Sequence, residues 1–294
     1  MSYESGMSYV HEISRSSPTA LVFLIDQSGS MSEQWGTGGT KSSEVAMILN
    51  RLLNNLIMRC TKSDGVRNYF NIGVIGYGAD VKPVLKGNTL SGRDLIPISE
   101  IADNPLRIEK KKKKEPDGAG GVREYEVNFP IWLEPEAENG TPMCGALDYA
   151  YEVIKRWVDD NPDSYPPTVF NITDGQAGDG DPATNASKIK QLQTNDGNVL
   201  LFNINISSNT SQMVKFPDDM SQFSNDPYAM SLFRIASIMP ENIITTLERS
   251  EEKAYSRNSK GFILNADAVS LIEFLNIGTD TSKQKAEFRT NNEE

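Results

Sequence analysis

Leu21 to Ser32, LVFLIDQSGSMS, decides how the rest of the chain is read. Its first five residues, Leu21 to Ile25, are apolar and uncharged, which suits a strand buried on both faces at the centre of a parallel sheet. Three oxygen-bearing side chains follow at alternate positions, Asp26, Ser28 and Ser30, with Gly29 between the serines to let the backbone turn. A carboxylate and two hydroxyls on one tight loop are hard donors, which Mg²⁺ accepts in near-octahedral geometry while keeping several waters. The same residues also suit a plain strand-to-helix turn whose serines cap the next helix.

At 294 residues the chain can bury a large core, and one elaborated domain is expected because no internal repeat or linker divides it. No apolar run reaches the length of a membrane span, and the opening MSYESGMSYVHEISRSS lacks the apolar core of a signal peptide, so a cytoplasmic protein is expected. Lys and Arg number 29 against 40 Asp and Glu, a net charge of −11 that argues against general binding to nucleic acid or anionic membrane. Cys60 and Cys144 are too few for a disulfide framework or a structural zinc site and read as reduced thiols. The single histidine, His11, falls in an N-terminal arm read as mobile, which nearly excludes Ser-His-Asp and Cys-His chemistry.

Beyond the Asp26 loop, the Gly-rich stretch Glu33 to Thr40 reads as a mobile connection. Lys41 to Arg59 reads as a helix, with Val45, Ile48, Leu49, Leu52, Leu53, Leu56 and Ile57 on one face and Ser42 or Ser43 as cap. Tyr69 to Tyr77, YFNIGVIGY, is the next strand, and its Gly73 and Gly76 imply close backbone packing. Between Asp80 and Glu138 the α/β rhythm lapses. There Leu106 to Lys114 and Val122 to Phe129, joined by the turn residues Glu115 to Gly121, read as a β-hairpin inserted at about residues 103–131. Consecutive lysines, Lys110 to Lys114, must point to both faces of its first arm, so the arm projects from the body. A solvated run is the plain reading, and a docking patch for an acidic or phosphorylated partner is the functional one.

Asn139-Gly140-Thr141-Pro142 opens a helix running through Trp157, with Thr141 as cap and Pro142 in the first helical position. Pro166 to Thr173 is a buried strand that runs into Asp174-Gly175, Asp181-Pro182 opens a further helix through Leu192, and Val199 to Ile206 is another strong strand. Asn209 to Tyr228 reads as polar loop and Ala229 to Ile238 as a short helix. Gly261 to Asn265 then forms a short strand, and Ala266 to Ile277 a closing helix with Leu271, Ile272 and Leu275 inward. This alternation predicts a doubly wound, mostly parallel α/β sheet flanked by helices over residues 18–278, with an arm at 1–17 and a tail at 279–294. Ligands in such folds sit at the carboxyl ends of the strands, where both the Asp26 and the Asp174 loops leave.

D-Q-S-G-S-M-S at Asp26 to Ser32, N-G-T-P at Asn139 to Pro142 and I-T-D-G at Ile172 to Gly175 together resemble the three motifs of the von Willebrand factor A (VWA) domain family. The resemblance spans roughly the whole folded chain. It implies a Rossmann-like fold and a metal-ion-dependent adhesion site (MIDAS) formed by Asp26, Ser28, Ser30, Thr141 and Asp174. It further implies direct bonds to the ion from Ser28 and Ser30, direct or water-mediated ones from Thr141 depending on state, and mostly water-mediated ones from Asp26 and Asp174. Mg²⁺ is the expected ion, with Mn²⁺ or Ca²⁺ as alternatives. Carboxylates held behind water leave the ion incompletely neutralised, so an Asp or Glu of a partner protein would complete its octahedron. Glu33, Asp179 and Asp181 lie in loops expected nearby, as tuning groups or as plain solvated acids. Cys144 follows Thr141 where a helix N-terminus can lower a thiol pKa, but with no histidine to act as base it reads as a packing residue.

Intracellular bacterial members of that family, including those resembling tellurite-resistance TerY-type proteins, act as adaptors beside protein kinases, phosphatases or ATPases. The S-G-S-M form of the first motif and the lack of a secretion signal are similar to that group. The expectation is therefore a non-enzymatic adaptor in a signalling, stress or defence system. An enzyme would need an acid, base or nucleophile beside the metal, and there is no G-x-x-x-x-G-K-[ST] loop for nucleotide. The alternative is a metal-dependent phosphoester hydrolase or nuclease that uses Asp26 and Asp174, with the lysine hairpin holding phosphate.

Overall fold

Eight consecutive buried residues, Thr19–Asp26, form the strand at the middle of the molecule, β1. Its Leu21, Phe23 and Ile25 pack into one core while Ala20, Val22 and Leu24 pack into a second on the opposite face, so both faces must be covered by helices. The computed structural model describes residues 9–36, 38–116, 122–207 and 212–277. Most of the expected turn at 115–121, the tail from 279 and the start of the arm, 1–8, lie outside the described residues.

The remaining strands of the main sheet are β2 (Phe70–Tyr77), β3 (Val81–Pro83), β4 (Ile96–Pro97), β5 (Thr168–Thr173), β6 (Leu200–Ile206), β7 (Val214–Lys215) and β8 (Phe262–Ala266). Their order is β7-β8-β6-β5-β1-β2-β3, with β4 also pairing β2. Every pairing from β8 through β6, β5 and β1 to β2 is parallel, and only the short edge strands β3, β4 and β7 run antiparallel. Helices α1 (Lys41–Cys60), α2 (Ile98–Asp103), α6 (Glu241–Glu251) and α7 (Ala268–Ile277) cover one face; α3 (Met143–Asp160), α4 (Ala183–Gln191) and α5 (Pro227–Ile235) cover the other. This is the expected doubly wound sheet. The chain leaves β1 toward β2 on one side and β5 toward β6 on the other, so the strand order reverses between β1 and β5, the kind of point outside whose strand ends doubly wound folds bind their ligands.

The glycines of β2 lie against neighbours as the sequence implies: a Cβ on Gly73 would stand 2.6 Å from the Asp94 carbonyl oxygen, and one on Gly76 2.1 Å from the Gln27 side chain. The inserted hairpin, Arg107–Pro116 with Val122–Ile131, is a two-stranded sheet of its own. It is fastened at its base, where the buried Asn50 of α1 accepts the amides of Trp132 and Leu133 at 2.8 and 3.0 Å and donates to the Leu133 carbonyl at 2.8 Å.

Several expectations need correction. Glu33 to Thr40 is not a loose connection, because Gln34–Trp35 pairs antiparallel with Gly39–Thr40 and Trp35 is buried, donating its indole N–H to the Ser207 carbonyl. Thr40, and not Ser42 or Ser43, caps α1 by accepting the Ser43 amide. The stretch read as polar loop from 209 holds β7 and buries Val214, Phe216 and Phe223. Residues 9–11 are anchored, since the buried Asp196 accepts the Val10 and His11 amides and its carbonyl accepts the Tyr9 amide at 2.7 Å. Helix α6 is absent from the sequence reading.

Candidate metal centre

Strand β1 delivers Asp26, with no exposed surface, to the carboxyl edge of the sheet. One carboxylate oxygen accepts the Ser28 amide at 2.8 Å, and the other accepts the hydroxyl of Thr173, the last residue of neighbouring β5, at 2.7 Å. Burial pushes the Asp26 carboxyl above its ordinary range, the bonds from Thr173 and Ser28 draw it back, and the charge of Asp174 adds to the rise. A 3-10 turn, Gly29–Ser32, follows with Met31 buried beneath it. Gly29 is not needed for that turn. Its φ is not positive, and a Cβ there would meet its nearest atom, Asn139 Oδ1, at an ordinary 3.5 Å.

The two serines do not cap a helix. Ser28 makes no capping bond, and its Oγ lies 3.0 Å from Ser30 Oγ, which donates to Asp174 Oδ1 at 2.8 Å. A hydroxyl has one proton, so with the Ser30 proton on Asp174 the Ser28 hydroxyl must donate to Ser30. The first motif is thereby tied to the third across the ends of β1 and β5.

Thr141 is brought in through its main chain. Its carbonyl accepts the amides of Met143 and of Gly178, in the loop after Asp174, both at 2.8 Å, while Glu138 donates its amide to the Gln27 carbonyl. Gly140 is needed here, with φ at +92° and the Gly78 carbonyl oxygen 2.9 Å from where a Cβ would sit. The side-chain chain from Ser28 to Asp174 does not include the Thr141 hydroxyl. Nor does Thr141 cap α3, which begins at Met143 after a non-helical Pro142. Asp179 supplies the cap, accepting the Cys144 and Gly145 amides at 3.0 and 2.9 Å, and Asp181 likewise accepts the Ala183 amide where α4 starts. Burial, followed by the Asp179 carboxylate, pushes the Cys144 thiol up to about 11. A thiol held so high is not an activated nucleophile, although Cys144 is only partly buried.

Sequence reasoning missed Lys41. The small Gln34–Trp35/Gly39–Thr40 ladder folds the chain back so that the Lys41 amide donates to the Glu33 carbonyl at 2.9 Å. The Lys41 ammonium then reaches Glu33 Oε2 at 2.7 Å and Asp174 Oδ2 at 2.8 Å, with the lysine side chain 5% and that of Asp174 0% exposed. Burial alone would lower the Lys41 pKa, but its bonds to Asp174 and Glu33 outweigh burial and raise it. The Trp-Gly-Thr-Gly-Gly stretch at 35–39 was the available signal, since reading it as a hairpin turn places Lys41 opposite Glu33.

Among the described residues no group of three or more His, Cys, Asp and Glu side chains could hold a metal, so a cation here would depend on the hydroxyls. The donor set is chemically suited to one: oxygens only, with Ser28 and Ser30 adjacent and two carboxylates behind them. Beside it, an open cleft of about 440 Å³ runs from Gly175 between the Asp174 loop and α5, lined by Ala177, Pro182, Tyr228 and Leu232.

The sequence matches no family model and no curated protein sequence. Among solved structures the chain is similar to the ArnB paralog VWA2 from Sulfolobus acidocaldarius at 16% identity and a TM-score of 0.34, over 65% of this chain and 35% of that one. It is similar to the pilus adhesin RrgA from Streptococcus pneumoniae at 16% identity and a TM-score of 0.30, over 56% and 21% of the two chains. With the vWF domain of the type V pili tip protein Mfa5 from Porphyromonas gingivalis the figures are 16% identity and a TM-score of 0.28, over 55% and 39%. The matched part thus spans well under half of each of those chains, and the architecture of this one rests on its own sheet order.

Proposed function

We propose that the chain is a metal-dependent protein-binding module of VWA type, an adaptor that captures an Asp or Glu of a partner protein. The observation that carries this reading is the turning of Ser28 and Ser30 away from helix capping and toward Asp174, at the switch in strand order. Ser28, Ser30 and Thr141 would hold Mg²⁺, with Asp26 and Asp174 behind them. The ion would supply an electrophilic position for an outside carboxylate. The cleft beginning at Gly175 gives the partner's main chain a place to lie beside that position. A kinase, phosphatase or ATPase as partner, in a cytoplasmic signalling or stress system, belongs to the same proposal and rests on the motif resemblance. Among the described residues no helix is long and apolar enough to cross a membrane.

The phosphoester hydrolase reading gains nothing from the geometry. Its two acids are already engaged, Asp26 by Ser28 and Thr173 and Asp174 by Ser30 and Lys41, and Lys110 and Lys112 of the hairpin pair with Glu126 and Glu124. A pull-down with the full chain in millimolar Mg²⁺ and in EDTA tests the proposal. A partner retained in Mg²⁺ should be lost in EDTA and lost with Asp26→Ala or Thr141→Ala, each variant remaining folded. Unchanged retention by both variants, or Mg²⁺-dependent turnover of a phosphoester that both variants lose, would sink the adaptor reading.

A further inference from the structure

Among the described residues no other Lys or Arg is as buried as Lys41, and its position is otherwise unfavourable for a cation. It is the first residue of α1, where the helix dipole presents its positive end, and its ammonium has been taken almost wholly out of water. Both costs are met in one place, against Asp174 and Glu33. Asp174 is shared: one oxygen takes Ser30 from the candidate metal loop, and the other takes Lys41 from the opposite side.

We propose that Lys41 is a built-in counter-cation that sets the divalent affinity of the centre. Its fixed positive charge cancels one of the three carboxylates Asp26, Asp174 and Glu33, so that an ion at Ser28 and Ser30 is held loosely and keeps its charge for an outside ligand. The inference rests on the metal reading above. Electrostatics gives it a definite sign. Removing the lysine charge must strengthen attraction for a divalent ion, and removing the Glu33 charge must weaken it.

Calorimetric titration of the full chain with Mg²⁺ alone tests that sign, with the Mg²⁺-induced rise in Tm as second readout. Lys41→Met is expected to bind Mg²⁺ about tenfold more tightly than the native chain, the scale of one charge acting through a partly screened site. Lys41→Arg should stay within about twofold of native, and Glu33→Gln, at a side chain 59% exposed, should bind severalfold more weakly. A purely structural lysine would instead give weaker binding in Lys41→Met. Equal or weaker binding there overturns the inference, and so does tighter binding by Glu33→Gln, which keeps the test decisive if Lys41→Met does not fold. Binding by Lys41→Met with none by the native chain would uphold the inference while sinking the metal reading of the native protein. Binding by neither would sink both.

Discussion

Lys41 and Lys110 each approach a carboxylate closely, at 2.8 Å to Asp174 and 3.2 Å to Glu126, but one pair has lost its water and the other has kept it. The buried partners are 5% and 0% exposed and the hairpin partners 71% and 57%. Coulomb attraction at similar distance then differs through the effective dielectric, and so does the consequence of breaking the pair. A surface pair is worth roughly 0–1 kcal/mol. Removing one partner of a buried pair leaves an uncompensated charge, at a cost of about 3–5 kcal/mol. Lys110, in the most conspicuous charge run of the sequence, is therefore energetically light, while an unremarkable lysine at the start of a helix is heavy.

The largest expected effect follows from removing the buried acid. Asp174→Ala leaves the Lys41 ammonium with Glu33 alone, and because Glu33 is half in solvent the loss should fall near the lower bound, about 3 kcal/mol. Urea unfolding in EDTA measures it without any contribution from metal. A loss under about 1 kcal/mol would place Lys41 and Asp174 with the solvated pairs and erase the contrast.

Asp179 is the intermediate case, an exposed carboxylate whose partners are two backbone amides and not a lysine. Asp179→Ala should cost about 1 kcal/mol as a lost helix cap. It should also speed alkylation of Cys144, because burial and this carboxylate hold the thiol near 11, and removing the negative charge lowers that value and raises the thiolate fraction. The same displacement fixes a sign for the native chain. Between the ordinary thiol value of about 9 and 11 the unfolded chain releases a proton that the folded chain keeps, so the Cys144 contribution to stability falls as pH rises through that window. Alkylation at pH 8 as slow in Asp179→Ala as in the native chain would show that burial alone raises the thiol.

What the sequence made legible was whatever local pattern decides. Leu21 to Ile25, Val199 to Ile206 and the stripe of α1 announce buried strands and a covering helix, because burial on one face or two leaves a periodic mark. Three separated motifs were legible: Asp26, Ser28 and Ser30 of the first are linked directly to one another and to Asp174 of the third, while Thr141 of the second joins through its carbonyl. Long-range substitution for a local rule was not legible. Thr141 and Pro142 look like a helix start, yet an acid at position 179, distant in sequence, takes the cap, and Thr141 instead spends its carbonyl on two amides. Nor does composition show that a Gly-rich stretch will close a ladder and bury Lys41, since the Trp35 anchor that makes it worthwhile lies against Ser207.

The smallest effects belong to the hairpin. Its base is tied through Asn50 of α1 to Trp132 and Leu133, outside the lysine arm, so deleting Lys110 to Gly121 should leave cooperative unfolding and change stability by no more than about 1 kcal/mol. A globally unfolded deletion would mean that the arm belongs to the core. Within the intact hairpin, a double-mutant cycle of Lys110→Ala and Glu126→Ala should return a coupling of about 0.2–1 kcal/mol that shrinks in high salt. At physiological ionic strength the screening length is already about 8 Å, and both side chains stand in it. The matching cycle between Lys41 and Asp174 should be severalfold larger and nearly indifferent to salt, because no counter-ion reaches side chains 5% and 0% exposed. Equal salt sensitivity in the two cycles would mean that water reaches Asp174 freely, and Lys41 would then be one more surface lysine.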